Sequence, residues 1–172
     1  MTLPARINLM EHRRTKEFWM QQFGTVSEWL LKKGYVVSLC TDAEDQVHIE
    51  EKIVQIDSRQ HAESRFYTLL HEAGHVLIRQ GWKQFHADHP MYASSGDGRN
   101  VRSRAYRVSL VAEECEAWKR GRRLAKRLGL FVYDKKYDQI SIECLMSHIQ
   151  WAANHDEIIR QQRLSEVNSV DN

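Results

Sequence analysis

The chain has 172 residues, a formal net charge of +2 and 28% charged residues, which is typical of one globular domain with a sizeable core. This charge balance neither demands nor excludes nucleic acid, and no apolar run approaches the roughly 18 residues of a membrane helix. Three scattered cysteines, Cys40, Cys115 and Cys144, fit neither a disulfide framework nor a zinc ribbon. With no apolar signal-peptide segment in residues 1–12, we expect a cytoplasmic protein.

The N-terminal third is predicted to form one helix and a small sheet. An amphipathic helix over residues 13–33 ends near Gly34. Its apolar side comprises Phe18, Trp19, Phe23, Val26, Leu30 and Leu31. Three runs rich in β-forming residues follow, at 35–40, 46–50 and 52–57. They predict a small antiparallel sheet of about three strands.

A second helix is predicted over residues 60–80, directly after the sheet. Apolar residues recur at helical spacing along it, namely Phe66, Leu69, Leu70, Ala73 and Leu77. Ser58 is a candidate N-cap, and Gly81 suits the C-terminal end. Gly74 in the helix interior costs about 1 kcal/mol relative to Ala, and the close approach of another backbone would explain its presence.

The C-terminal half is predicted to be helical after a long loop. Residues 82–104 are polar and rich in Gly and Ser, which indicates a functional lid, a binding loop or a disordered segment. Helices are predicted over 105–128 and 141–154. Residues 1–160 would then form a single α+β domain, followed by a polar and flexible tail at 161–172.

The most informative motif is His71-Glu72-Ala73-Gly74-His75, which reads H-E-x-x-H inside the second helix. Residues four apart lie on the same helix face, so His71 and His75 can bind one cation. Glu72 is rotated about 100° from His71 and can face a water on that cation. The motif therefore predicts a Zn²⁺ site, with Glu72 as the general base of a metallopeptidase.

Glu114 is the predicted third ligand. It lies on a stripe of the third long helix whose other members are apolar or small: Leu110, Ala117, Gly121, Leu124 and Leu128. A carboxylate on such a face needs a partner, which a metal or a buried salt bridge would supply. Glu113 and Glu116 are expected on the polar face, with Glu116 spaced to pair with Arg120.

From Lys52 to Leu128 the chain resembles the ImmA/IrrE-type zinc metallopeptidases. The resemblance includes the strand at 53–57, the segment Phe66-Tyr67-Thr68-Leu69-Leu70 leading into H-E-x-x-H, and Glu114-Cys115-Glu116-Ala117, similar to that family's E-x-E-A pattern. It implies a zincin-like core in which His71, His75 and Glu114 bind the metal and Glu72 is the base. It also implies a regulatory protein, such as a repressor or antitoxin-like protein, as substrate.

The chain departs from that family at Trp118, where relatives carry Asn or Asp. Tryptophan cannot be the carboxylate partner of a ligand histidine, so this position favours zinc binding over turnover. A zinc-stabilised binding protein without catalysis is therefore one alternative. The other is a SprT-like protease acting on DNA-bound proteins, with His86 or His89, near Asp88, as third ligand.

The remaining candidate residues are those that would contact the substrate or another partner. Amide hydrolysis needs a donor for the oxyanion, and Tyr67, Tyr92 and Tyr106 are candidates. A basic run from Lys119 to Arg127 could contact nucleic acid, although a solvated helix face is favoured at this net charge. The expected partner is a protein or peptide substrate, with no membrane contact.

Overall fold

The fold combines helices with a small sheet. A computed structural model describes the backbone of residues 14–89 and 103–170, and their side chains as far as Asn154. The elements within those ranges are α1 (Lys16–Lys32), β1 (Val36–Cys40), β2 (Gln46–His48), β3 (Ile53–Asp57), α2 (Ala62–Gln80), α3 (Trp82–Asp88), α4 (Arg104–Arg127) and α5 (Asp134–Val170). This content confirms the predicted α+β class. None of the helices in these ranges has both the length and the apolarity to cross a bilayer.

The sheet is mixed, with the strand order β1-β3-β2. β2 and β3 form the predicted antiparallel pair, but β1 and β3 run parallel. The wholly antiparallel prediction is therefore wrong. The alternation of apolar residues indicates strands without giving their direction, and here β2 returns the chain so that β3 can align with β1. Val54 and Ile56 in the central strand are fully buried.

α1 packs against α2 and begins later than predicted. The side chain of Thr15 caps it by accepting a hydrogen bond from the N–H of Phe18 (3.2 Å). Gly34, which follows the C-cap residue Lys33, adopts a φ of 84°, as its predicted role at the C-terminal end requires. Leu31 was predicted on the apolar side but is 62% exposed, because the buried face is narrower there than the periodicity suggests.

α2 begins at Ala62 without a side-chain cap, so the prediction of Ser58 as N-cap is wrong. The N–H of Ser58 instead donates to the carbonyl of Cys40 (2.8 Å) and extends the pairing beyond the sheet. Gly81 follows the last residue of α2 with a φ of −102°, and α3 begins directly after it.

α3 occupies the start of the segment predicted as a loop, so that part of the prediction is wrong. Trp82 and Phe85 lie one helical turn apart, and their stacked rings have centroids 5.7 Å apart. The polar composition of the segment hid this helical spacing of aromatic residues. Residues 90–102 of the predicted loop lie outside the described residues.

α2 and α4 approach closely at two glycines. A Cβ atom on Gly74 would overlap the carbonyl of Ala117, and one on Gly121 would overlap the carbonyl of Leu70. The structure thus confirms that Gly74 admits another backbone. This close packing brings α4 within reach of the H-E-x-x-H face.

α5 extends well beyond the predicted residues 141–154 at both ends. Its first turns are anchored by Tyr137, whose hydroxyl donates to the carbonyl of Trp118 on α4 (2.8 Å). These turns contain mostly polar residues, which explains why apolar periodicity missed them. The predicted flexible tail from residue 161 stays a prediction.

Candidate metal centre

The H-E-x-x-H motif lies in the middle of α2, where the helix is covered by its neighbours. Its surroundings are apolar, since Leu69, Leu70 and Ala73 are fully buried. His71 and Glu72 are also buried, with 8% and 4% of their surfaces exposed. Buried polar side chains need partners, so the identity of those partners defines what the site can do.

Glu114 on α4 lies opposite both histidines, as the sequence predicts. The Nε2 atoms of His71 and His75 are 3.3 Å apart. The Glu114 carboxylate has one oxygen 3.2 Å from His71 Nε2 and the other 3.6 Å from His75 Nε2. One ligand atom from each residue can be chosen so that all lie within 4.8 Å of one another.

This geometry fits a tetrahedral cation. Two donors about 2.1 Å from one tetrahedral ion are separated by about 3.4 Å. In the site the two Nε2 atoms are 3.3 Å apart, while one Glu114 oxygen is 3.2 Å from His71 Nε2 and the other is 3.6 Å from His75 Nε2. Two imidazole nitrogens and a carboxylate could therefore hold one metal ion with little rearrangement.

Glu113 is a buried partner of His75, which the sequence did not predict. It was expected on the polar face, yet it is 5% exposed and one of its oxygens is 3.1 Å from His75 Nδ1. The buried face of α4 is wider than the predicted stripe, because it includes Glu113 as well as Ala117 and Gly121 of that stripe. A carboxylate on Nδ1 directs Nε2 of the same ring toward a metal.

His71 has a different neighbour. Its ring stacks on the indole of Trp118 with 4.4 Å between centroids and 21° between planes. Its Nδ1 atom is buried and has no hydrogen-bond partner among the described residues. Trp118 therefore holds the ring by its face and supplies no acceptor to orient the nitrogen.

The two histidines consequently differ in charge. Burial lowers the pKa of His71 to about 4, so its ring is neutral at pH 7. Burial also disfavours a charged His75, but hydrogen bonds to Glu113 and Glu114 outweigh it and raise its pKa to about 10. Although burial opposes it, hydrogen bonding to both histidines holds the pKa of Glu114 well below its usual range.

Glu72 faces the same cavity as the three candidate ligands. The cavity has a volume of about 270 Å³. Its other lining residues are Asp45, Gln46, Val47, Ile49, Arg79, Leu110, Glu113 and His148. Burial raises the pKa of Glu72 to about 7, where a carboxylate can both accept and return a proton.

His148 on α5 is a second residue that sequence reasoning missed. Its Nε2 atom is 3.5 Å from the Glu114 carboxylate. A signal was available, since His148 follows Leu145 by three residues and precedes Ala152 by four, on the apolar side of α5. The same criterion, a polar residue on an apolar stripe, identified Glu114.

The competing ligands lie away from this site. His86 contacts Trp82 on α3, and His89 contacts Phe85. His89 lines a different cavity, together with Cys115. Neither histidine belongs to the group of described residues that could hold a metal ion.

The predicted tyrosine donors do not line the cavity where the structure describes them. The Tyr67 hydroxyl donates to Glu63 and accepts from the N–H of Tyr133, both at 3.0 Å, on another side of the core. Tyr106 lies at the start of α4, outside the cavity lining. Tyr92 lies outside the described residues.

Several cations of the predicted basic run are engaged in ion pairs. As predicted, Arg120 pairs with Glu116 (2.8 Å), which also accepts from Arg123 (2.8 Å). Arg122 pairs with Asp138 at the start of α5. The pairs with Glu116 lie within α4, and the pair with Asp138 ties α4 to α5; together they reduce the charge that the helix presents to a partner.

Comparisons of the chain with models of protein families, with curated proteins and with solved structures find no significant match.

Proposed function

We propose that the protein is a zinc-dependent metallopeptidase that hydrolyses a protein or peptide substrate. The observation that carries the proposal is the convergence of His71, His75 and Glu114 on one point, with Glu72 facing the same cavity. In metal-assisted hydrolysis by H-E-x-x-H enzymes, the two histidines bind the metal and the glutamate directly after the first histidine is the base. We further propose a cytoplasmic location, in keeping with three unpaired cysteines among the described residues.

Zinc is the proposed metal because of the donor set. Imidazole nitrogens suit zinc, copper, iron and nickel, while sites for magnesium or calcium use oxygen donors alone. Two histidines and one glutamate leave a fourth tetrahedral position for water or substrate, as catalytic zinc sites do.

The proposed chemistry divides between the metal and Glu72. Bound zinc would lower the pKa of a water toward about 7 and polarise the scissile carbonyl. Glu72 takes the proton from the attacking water as the oxygen–carbon bond forms. Glu72 then gives this proton to the amide nitrogen as the carbon–nitrogen bond breaks, which yields a carboxylic acid and an amine. Burial, which raises the pKa of this carboxyl in the metal-free chain, favours its uptake of the proton.

Substitution of the base separates catalysis from metal binding. The zinc-loaded chain and its Glu72→Gln variant would be incubated with a proteome-derived peptide library, and new N-termini would be counted by mass spectrometry. We expect cleavage by the unmodified chain, loss of cleavage in Glu72→Gln, and equal zinc content. The exposed Glu28→Gln variant on α1 is the matched control. Equal cleavage by Glu72→Gln would exclude the mechanism.

A regulatory protein is the proposed substrate class, on the strength of the ImmA/IrrE resemblance alone. A Glu72→Gln variant that retains zinc would hold such a substrate without cleaving it. Capture of a protein that the unmodified chain then cleaves at one site would support this class. Indifferent cleavage of unrelated peptides would argue against it.

A zinc-stabilised binding protein is the second candidate. It is favoured by the surroundings of His71: within the part of the chain that the structure describes, its Nδ1 atom lacks the acceptor that usually orients a catalytic ligand. Stoichiometric zinc with no cleavage in the library experiment would support this candidate. A SprT-like protease is less favoured, because His86 and His89 lie away from the ligand group.

A further inference from the structure

His148 lies beside the candidate metal centre on an element that the H-E-x-x-H motif does not predict. It belongs to α5, and its Nε2 atom is 3.5 Å from the Glu114 carboxylate oxygen that faces His71. Its side chain is 36% exposed, whereas those of the three candidate ligands are 10–14% exposed. His148 is therefore the most solvent-accessible of these four side chains that line the cavity.

A role for His148 as a fourth metal ligand fits the geometry poorly. The group whose ligand atoms lie within 4.8 Å of one another contains His71, His75 and Glu114 without it. The separation of 3.5 Å from Glu114 is also long for a hydrogen bond, so this carboxylate does not hold the imidazole firmly. The N–H group of the His148 imidazole can therefore donate to an acceptor bound at the candidate metal site.

Amide hydrolysis creates a need for such a donor. Negative charge develops on the carbonyl oxygen as water adds, and a fixed N–H aimed at that oxygen stabilises the transition state. Among the described lining residues, Arg79 also carries N–H donors, but its guanidinium lies 4.1 Å from the centre of the Trp82 ring. His148 is the donor that lies next to a candidate ligand.

We propose that His148 donates a hydrogen bond to the oxyanion formed during amide hydrolysis and is thus a catalytic residue, an inference that rests on the proposed function. α5 is then part of the active site. Either a neutral or a protonated imidazole can donate from Nε2, so the role does not depend on the charge of the ring.

The test uses Co²⁺ as the metal and acetohydroxamate as a small anion that binds at the metal, so it needs no substrate. His148→Phe keeps an aromatic ring but removes the donor, while His148→Gln keeps a donor. The exposed Gln150→Ala variant is the control on the same helix. Visible absorption reports both Co²⁺ binding and acetohydroxamate binding.

We expect Co²⁺ affinity to be unchanged in all variants. Acetohydroxamate should bind about tenfold more weakly to His148→Phe and lose less affinity in His148→Gln, because a hydrogen bond to a charged acceptor is lost only in the first. With a cleavable peptide in hand, His148→Phe should lower kcat by about 10²–10³ with little change in KM.

Two results would overturn the proposal. Unchanged acetohydroxamate affinity in His148→Phe would show that the side chain does not reach the anion. If His148→Phe lost Co²⁺ affinity as much as acetohydroxamate affinity, His148 would be a fourth metal ligand. If the unmodified chain bound no Co²⁺, the proposed function itself would fail, and that result is distinct from the other two.

Discussion

At the residue scale, the two histidines of one motif are held differently. His75 has a carboxylate on Nδ1, which orients the ring and favours its protonated form. His71 stacks on an indole face, and none of the residues in the described ranges supplies an acceptor to its Nδ1 atom. A metal ion that binds here would therefore find His71 already neutral, whereas His75 must first lose a proton.

Metal binding at pH 7 should release about one proton, because a ligand imidazole must be neutral and the pKa of His75 is raised to about 10. Metal affinity should accordingly increase as the pH rises toward that value. Calorimetry of Zn²⁺ binding in buffers with different ionisation enthalpies measures the release. Glu113→Gln should reduce it, since the amide no longer favours the charged ring. A binding enthalpy independent of buffer would contradict the prediction.

Trp118 should be needed to position His71. Trp118→Phe keeps an aromatic face against the imidazole, while Trp118→Ala leaves a cavity that lets the ring turn. We expect Trp118→Ala to weaken zinc binding about tenfold or more and to reduce the free energy of unfolding by about 3–5 kcal/mol. Chelator competition and denaturant unfolding measure the two effects. Equal zinc affinity in the Ala and Phe variants would show that the aromatic ring at position 118 does not position His71 for zinc binding.

At the scale of elements, the contact between α2 and α4 sets the distance between Glu114 and the histidines. Gly74 faces the carbonyl of Ala117, three residues along α4 from Glu114. The separation of the helices therefore determines whether the carboxylate and both imidazoles can share one ion.

Gly74→Ala should destabilise the protein despite the better helix propensity of alanine. The added methyl overlaps backbone, which cannot move without separating the helices, so we expect a loss of about 1–3 kcal/mol in the free energy of unfolding. Zinc affinity should fall as well. Gly24→Ala on α1 is the matched control, because its Cβ would meet nothing within 4 Å. That variant should gain up to about 1 kcal/mol. A neutral Gly74→Ala variant would contradict the close approach.

Some of these contacts between elements could be predicted from the sequence and others could not. His71, His75 and Glu114 were predicted to meet because fixed helical spacing and one charged residue on an apolar stripe are local signals. Glu113 was missed because a buried carboxylate paired with a histidine looks like any surface glutamate in sequence. The parallel pairing of β1 with β3 depends on the path of the chain, which alternation does not encode.

At the scale of the whole molecule, the candidate site joins segments far apart in the chain. Its lining comes from the β2 region, α2, α4 and α5, between Asp45 and His148. An ion bound there would connect α2 to α4 only when both are folded. Metal binding and folding should therefore be coupled.

Zinc should raise the melting temperature of the unmodified chain, because an ion that binds only the folded state stabilises it. At a free concentration about 100 times its Kd the gain is about 2.7 kcal/mol. For a chain of this size that corresponds to an increase of about 5–11 °C in Tm. Scanning calorimetry with zinc and with a chelator measures the difference. Glu114→Gln should lose most of the shift by removing a ligand, while Glu28→Gln should keep it. An equal shift in Glu114→Gln would place the stabilising ion elsewhere.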